Sequence, residues 1–158
     1  MLFTFRPIGK MTARIIVHWR YEPPYDYYNT PAGEIEAAIV NMLNPANAYH
    51  NIYGEHDELV GSCCFGIDAQ VSGGDYQADA LDIGLGMRPD LTGQGRGNAF
   101  FTAICDFAQQ QFRPRRLRLT VAAFNERARH TYERAGFRQT QTFHSLYDGQ
   151  TFIVMIKQ

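Results

Sequence analysis

Met87-Arg88-Pro89-Asp90-Leu91-Thr92-Gly93-Gln94-Gly95-Arg96-Gly97-Asn98 joins an apolar run that reads as a strand to a stretch with helical spacing, through three alternating glycines. Glycines in that pattern open backbone conformations closed to other residues and clear side chains away from the amides. The helix that follows begins with N–H groups that lack intrahelical partners and lie at the positive end of its dipole. Together these features describe an anion cradle, in which each amide donating to a phosphate contributes about 1.5–3 kcal/mol. A P-loop would need Lys and then Ser or Thr after its last glycine, but Asn98 and Ala99 follow Gly97. A dinucleotide fingerprint would need a glycine six positions into the run, where Asn98 stands if Gly93 opens it and Phe100 if Gly95 does.

Working outward, Phe100, Phe101, Ile104, Cys105, Phe107 and Ala108 continue the cradle as an amphipathic helix that Pro114 ends. Leu117, Leu119 and Val121 alternate with polar residues as a strand that stops at Asn125, and a helix from Glu126 to Ala135 is closed by Gly136. Phe137–Phe143 and Thr151–Ile156 pair about Tyr147-Asp148-Gly149. Upstream, Leu2–Pro7 reads as a strand and Met11–Trp19 as a helix. The Tyr- and Pro-rich segment Arg20–Pro31 reads as a structured loop. Thr30 is the expected N-cap of a helix with Ile35, Ala38, Ile39 and Met42 on one face. Strands are expected at Ala48–Tyr53, Leu59–Ile67 and Ala80–Met87. The order β-α-α-β-β-β-α-β-α-β-β describes an α/β chain of α+β type, a mixed sheet with helices on its faces.

The 158 residues suit one domain spanning 1–158, and 45% hydrophobic residues are enough for a core. No apolar stretch is long enough to cross a bilayer and the N-terminal residues carry no signal-peptide pattern, so a soluble cytoplasmic protein without a membrane partner is expected. A net charge of −1 gives no general attraction for nucleic acid, and Arg113, Arg115, Arg116 and Arg118 read as a solvated basic face. Cys63, Cys64 and Cys105 lack metal-ligand spacing, so free, mostly buried thiols and no metal are expected.

Thr92-Gly93-Gln94-Gly95-Arg96-Gly97 resembles the pyrophosphate loop Gln/Arg-x-x-Gly-x-Gly/Ala of the GNAT superfamily of acyl-CoA-dependent N-acyltransferases, with Thr92 in place of the usual Gln or Arg. Asn125-Glu126-Arg127-Ala128-Arg129-His130-Thr131-Tyr132-Glu133-Arg134-Ala135-Gly136-Phe137 is similar to that family's Asn-x-x-Ala-x-x-x-Tyr-x-x-x-Gly-Phe signature. The strand Asp82-Ile83-Gly84-Leu85-Gly86-Met87-Arg88-Pro89 further resembles the ribosomal-protein N-terminal and spermidine acetyltransferase branch. The resemblance implies the GNAT fold, acetyl-CoA (coenzyme A) as co-substrate, a small-molecule or peptide amine as acceptor, and room for a homodimer.

By the same resemblance, Leu85, Gly86 and Met87 present backbone groups to the pantetheine arm and the thioester, on a strand whose Gly84 and Gly86 suit a splayed sheet. Thr92, Gly93, Gln94, Gly95, Gly97 and Asn98 surround the pyrophosphate, and Arg96 either adds charge at the adenosine phosphate or faces solvent. Asn125 and Ala128 border the pantetheine arm, and Tyr132 is the general acid for the departing thiolate. A phenol with a pKa near 10 stays protonated at neutral pH, as that role requires. A lysine-type amine is neutral only about once in a thousand at pH 7, so a base is needed. Asp82 is the expected base, with His50, Glu55 and His144 behind it. Trp19, Tyr25 and Tyr28 are expected to wall the acceptor side, with Glu22 and Asp26 adding negative charge. Two other readings compete with the enzyme, a non-catalytic acyl-CoA-binding module and a regulator that docks a partner through the Arg113–Arg118 cluster.

Overall fold

Alternation along the strands decides which side of the sheet each helix covers. The computed structural model describes residues 2–158. Strands β1 (Thr4–Pro7), β2 (His50–Tyr53), β3 (Leu59–Phe65), β4 (Leu81–Met87), β5 (Leu117–Ala122), β6 (Arg138–His144) and β7 (Thr151–Lys157) form one sheet in the order β1-β2-β3-β4-β5-β7-β6. Only β4 and β5 run parallel; every other neighbouring pair is antiparallel. Helices α1 (Lys10–Val17) and α2 (Ile35–Leu43) separate β1 from β2, α3 (Gly97–Phe112) links β4 to β5, and α4 (Glu126–Arg134) follows β5. The element order is the one expected from sequence.

Strand residues such as Ile52, Cys63, Ile83, Leu119 and Val121 pack with Phe100, Phe101 and Ile104 of α3 and Tyr132 of α4 in the larger core. Their neighbours in sequence point the other way, as a period of two requires. Asn51 donates to Thr12 of α1 at 2.9 Å, which puts α1 and its partner α2 on the opposite face. There Ala13, Val17, Ile39 and Met42 make a second, smaller core.

Two local expectations are corrected. The helix expected from Thr30 begins at Ile35, because Pro31 is extended and Ala32–Glu34 form a separate 3-10 turn with no side-chain cap. Gly33 in that turn disfavours α-helix by about 1 kcal/mol relative to alanine. Arg118 does not belong to a solvated basic face. It is 2% exposed, under the segment that leads into β4, and its guanidinium pairs with Asp82.

Candidate active site

The β4–β5 ladder is short. Leu81, Asp82 and Ile83 pair with Leu117, Arg118 and Leu119, and pairing then ceases, although β4 runs on to Met87 and β5 to Ala122. Beyond the vertex the strands diverge, and Gly84–Met87 keep β3 as their only strand neighbour. A cavity of about 740 Å³ occupies the opening and reaches both faces of the sheet. Backbone N–H and C=O groups in such a gap need partners, and an extended ligand arm can provide them in place of a strand.

At one end of the gap lies the glycine run. Gly93 and Gly95 have φ of 71° and 75°, in the left-handed region, and α3 starts at Gly97 with no side-chain cap on its first turn. The first amides of this sixteen-residue helix are therefore free of side-chain acceptors. Thr92 turns its hydroxyl inward, donating to the Pro89 carbonyl at 2.7 Å, and Gln94 donates to the Asp90 carbonyl at 2.6 Å. Both side chains shape the loop and leave its outer surface to backbone. Replacing Gly95 by Ala adds a Cβ that meets no atom within 4 Å, so its cost is confined to φ. An alanine forced left-handed costs about 1–2 kcal/mol. Gly95→Ala should weaken acetyl-CoA binding roughly tenfold while the unliganded Tm moves by no more than a few degrees; unchanged affinity by calorimetry would remove the loop from the binding site.

The N-terminus of α4 meets the gap from the other side. The Asn125 side chain performs two tasks, its Oδ1 accepting from the Ala128 amide at 3.2 Å as the helix cap and its Nδ2 donating to the Tyr28 hydroxyl at 3.0 Å. One turn on, Tyr132 is 8% exposed and packs against Phe101, with ring centroids 4.7 Å apart. Its hydroxyl engages no hydrogen bond among the described residues, yet it is not sealed in the core, and the side chain lines the cavity. Burial raises its pKa, with Tyr28 and Cys105 adding smaller effects in the same direction, so the phenol holds its proton throughout the neutral range. Arg127 also lines the cavity; its guanidinium lies 4.3 Å from the Tyr25 ring centroid and reaches toward Gly93.

Across the gap, the loop between α1 and α2 is fastened to the sheet. The Tyr21 hydroxyl donates to the Met87 carbonyl at 2.6 Å, and burial pushes its pKa up to about 12. Trp19, Tyr21, Tyr25 and Tyr28 all line the cavity. The 3-10 turn Tyr25–Tyr28 is tied at its outer side by the Tyr27 hydroxyl, which donates to Asp148 at 2.6 Å.

Comparison with known proteins agrees with this geometry. The sequence profile described as the acetyltransferase (GNAT) family matches residues 13–137. The chain belongs to the GNAT acetyltransferase family. A search of curated protein sequences found no significant match. Among solved structures, a chimera of the spermidine N-acetyltransferase SpeG from Vibrio cholerae and hSSAT superposes with a TM-score of 0.72 at 18% identity, covering 99% of this chain and 95% of that one. SpeG from Vibrio cholerae in complex with manganese ions gives 0.70 at 17% identity, covering 98% and 91%. A GNAT-family acetyltransferase from Bacillus anthracis gives 0.72 at 13% identity, covering 99% and 95%. These likenesses establish the GNAT fold, and the family is one of acetyltransferases that use acetyl-CoA.

Within this GNAT domain the structure gathers Trp19, Tyr25, Tyr28, Leu85, Gly86, Met87, Thr92, Gly95, Gly97, Asn98, Asn125, Ala128 and Tyr132 around one cavity. Gly93 and Gln94 stand on the exposed rim of the loop, and Arg96 turns away to a smaller pocket with His56 and Glu58. Asp82, expected as the base, is not brought to the cavity. It is 3% exposed and outside the cavity lining, its Oδ1 and Oδ2 accepting from Arg118 at 2.7 and 2.8 Å, with Gln70 donating to Oδ2 at 2.9 Å. Those bonds engage both oxygens of the carboxylate. Nor do the fallback bases reach the site. His50 packs edge-on to Phe107, Glu55 accepts from the Leu2 amide, and His144 lies beside Thr151 on β7. Glu22 and Asp26 are exposed outside the cavity, where the one carboxylate among the lining residues is Asp68. Among the described residues no cluster of three or more His, Cys, Asp or Glu has metal-binding geometry, and no helix is long and apolar enough to cross a membrane.

Proposed function

We propose that this GNAT chain transfers the acetyl group of acetyl-CoA to a primary amine by direct attack within a ternary complex. The observation that carries the reading is the break in β4–β5 pairing after Ile83, with the unengaged Tyr132 hydroxyl opening into the same cavity. Gly93, Gly95, Gly97 and Asn98 hold the pyrophosphate through backbone amides, and Leu85–Met87 provide the open strand edge along which the pantetheine arm lies. The two substrates approach from opposite faces, because α3 and α4 flank one side of the gap and the Trp19–Tyr28 loop the other.

Acetyl-CoA supplies an acyl group activated as a thioester. The neutral amine nitrogen forms a bond to the carbonyl carbon, the carbon–sulfur bond breaks, and its electron pair leaves on sulfur. Tyr132 donates its proton to that sulfur, and the proton lost by the nitrogen passes to water. Water is the acceptor because Asp82 is committed to Arg118. With no side-chain base, the free amine fraction sets the rate, so kcat/KM for an alkylamine should rise about tenfold per pH unit from pH 7 to 9. Tyr132, held protonated by burial, adds no descending limb in that window. A limb below pH 9 that disappears in Tyr132→Phe would contradict this.

A thiol-release assay with acetyl-CoA and a panel of polyamines, aminoglycosides, amino acids, arylamines and peptides tests the proposal. Acceptor-dependent release of CoA supports it. Tight acetyl-CoA binding without release for any acceptor favours the competing reading, a non-catalytic acyl-CoA-binding module.

A further inference from the structure

The lining of the cavity divides by charge. Its basic side chains, Arg127, His130 and Arg134, all come from α4, beside the glycine loop. Its carboxylate, Asp68, comes from the 3-10 turn Ile67–Ala69 after β3, on the face of the sheet covered by α1 and α2. A Cβ on Gly84 would lie 3.4 Å from Ala69, so Asp68 stands beside the first residue of β4 beyond the vertex.

Asp68 is held by two separate elements. Asn41 of α2 donates to Oδ1 at 2.7 Å, and the Tyr49 hydroxyl, just before β2, donates to Oδ2. Burial pushes the Tyr49 pKa up, which keeps that group a donor. Each carboxylate oxygen retains a second lone pair. None of the ion pairs among the described residues involves Asp68, although the other cavity-lining groups around it are aromatic or apolar in large part. A carboxylate fixed by two donors and without a cation, in a partly apolar cavity, is placed to accept a charge-assisted hydrogen bond from a ligand's positive group.

Resting on the acetyltransferase reading above, we infer that Asp68 binds a second cationic group of the acceptor, an ammonium distinct from the amine that is acetylated. The reacting nitrogen must be neutral and must reach the Leu85–Met87 edge, whereas an ammonium paired with Asp68 is not nucleophilic. Leu85 and Gly86, the near part of that edge, lie one and two residues beyond Gly84, about 3–7 Å along a strand, a separation that a three- or four-carbon chain between two nitrogens spans. Trp19 and Tyr21 line the same cavity, and aromatic rings there tolerate a cation.

Calorimetric titration with 1,3-diaminopropane and 1,4-diaminobutane against n-propylamine and n-butylamine tests the inference, with emission of Trp19, the protein's one tryptophan, as a reporter from inside the cavity. The diamines should bind roughly ten- to hundredfold more tightly than the monoamines. Asp68→Asn should abolish that ratio and leave acetyl-CoA affinity unchanged, which also verifies its fold. Asp68→Glu should keep the ratio and shift preference toward the shorter diamine. Equal binding of monoamines and diamines to the wild type, or an equal loss for both in Asp68→Asn, overturns the inference. So does a fall in kcat for monoamines in that variant together with a lost pH limb, which would make Asp68 a base. The binding measurement needs no turnover. Diamine preference without CoA release therefore sinks the proposed reaction alone, and turnover without diamine preference sinks the subsite alone.

Discussion

Replacing Tyr132 by Phe should lower kcat for acetyl transfer by about 10²–10³-fold and leave acetyl-CoA affinity within about twofold. The ring remains, so packing against Phe101 is retained, and the hydroxyl that is lost engages no protein partner. Its removal leaves no buried group unsatisfied, and the Tm should move by no more than a few degrees. In the proposed reaction, what disappears is the proton that turns a departing thiolate into a thiol. The loss should therefore shrink with an acyl donor whose thiol is more acidic, since such a leaving group depends less on an acid. An unchanged kcat would remove Tyr132 from the chemistry, and a raised Kd for acetyl-CoA with unchanged kcat would make it a binding residue only.

Asp82→Ala should destabilise the fold by about 3–5 kcal/mol, because it strands the Arg118 guanidinium in the interior. The side chains of this pair are 4% and 3% exposed. For a chain of this length each kcal/mol corresponds to about 2–4 °C, so the Tm should fall by roughly 10 °C or more. Arg118→Ala should cost a similar amount, whereas Asp82→Leu combined with Arg118→Met should recover most of it. Asp82 and Arg118 face each other in register one rung before the ladder ends, so the activity remaining in the single variants should fall through distorted substrate affinity, with KM rising more than kcat declines. If Asp82→Asn kept the wild-type Tm and lost kcat instead, Asp82 would regain the role of base.

The fold was legible in the sequence because each element carried its own local signal. Helix α3 begins at Gly97 and ends at Phe112, where glycine spacing and Pro114 indicate, and the Asn125 cap and Gly136 bracket α4. The glycine loop and the first turn of α4 at the cavity came with those elements, since backbone amides are placed by the chain path itself. Asp82 and Arg118 lie in the interior, where their sequence pattern does not place them, for a single physical reason. A polar residue in an alternating strand is expected to face water, but here Gln70 and Tyr76 in the segment before β4 bury that face, Tyr76 lying 5.0 Å from the guanidinium. Nothing local to Leu117–Ala122 announces that cover. Tyr21, Arg127 and Asp68 went unnoticed for the same reason, because their places at the cavity depend on contacts across 66 residues for Tyr21 with Met87 and 27 for Asp68 with Asn41. The spacing of apolar residues does not encode such pairings, and an acid in a short turn after a strand looks like any surface aspartate.

The bond between Asn125 and Tyr28 makes the two halves of the cavity answerable to one another. One amide group fixes the first turn of α4 and also a ring on the loop across the cavity, so displacement at either end is felt at the other. With acetyl-CoA and amine on the two sides, as proposed, their free energies of binding are linked, and linkage is reciprocal: whatever factor acetyl-CoA applies to the amine's dissociation constant, the amine applies to that of acetyl-CoA. Cutting the link with Tyr28→Phe should make the two sites titrate independently.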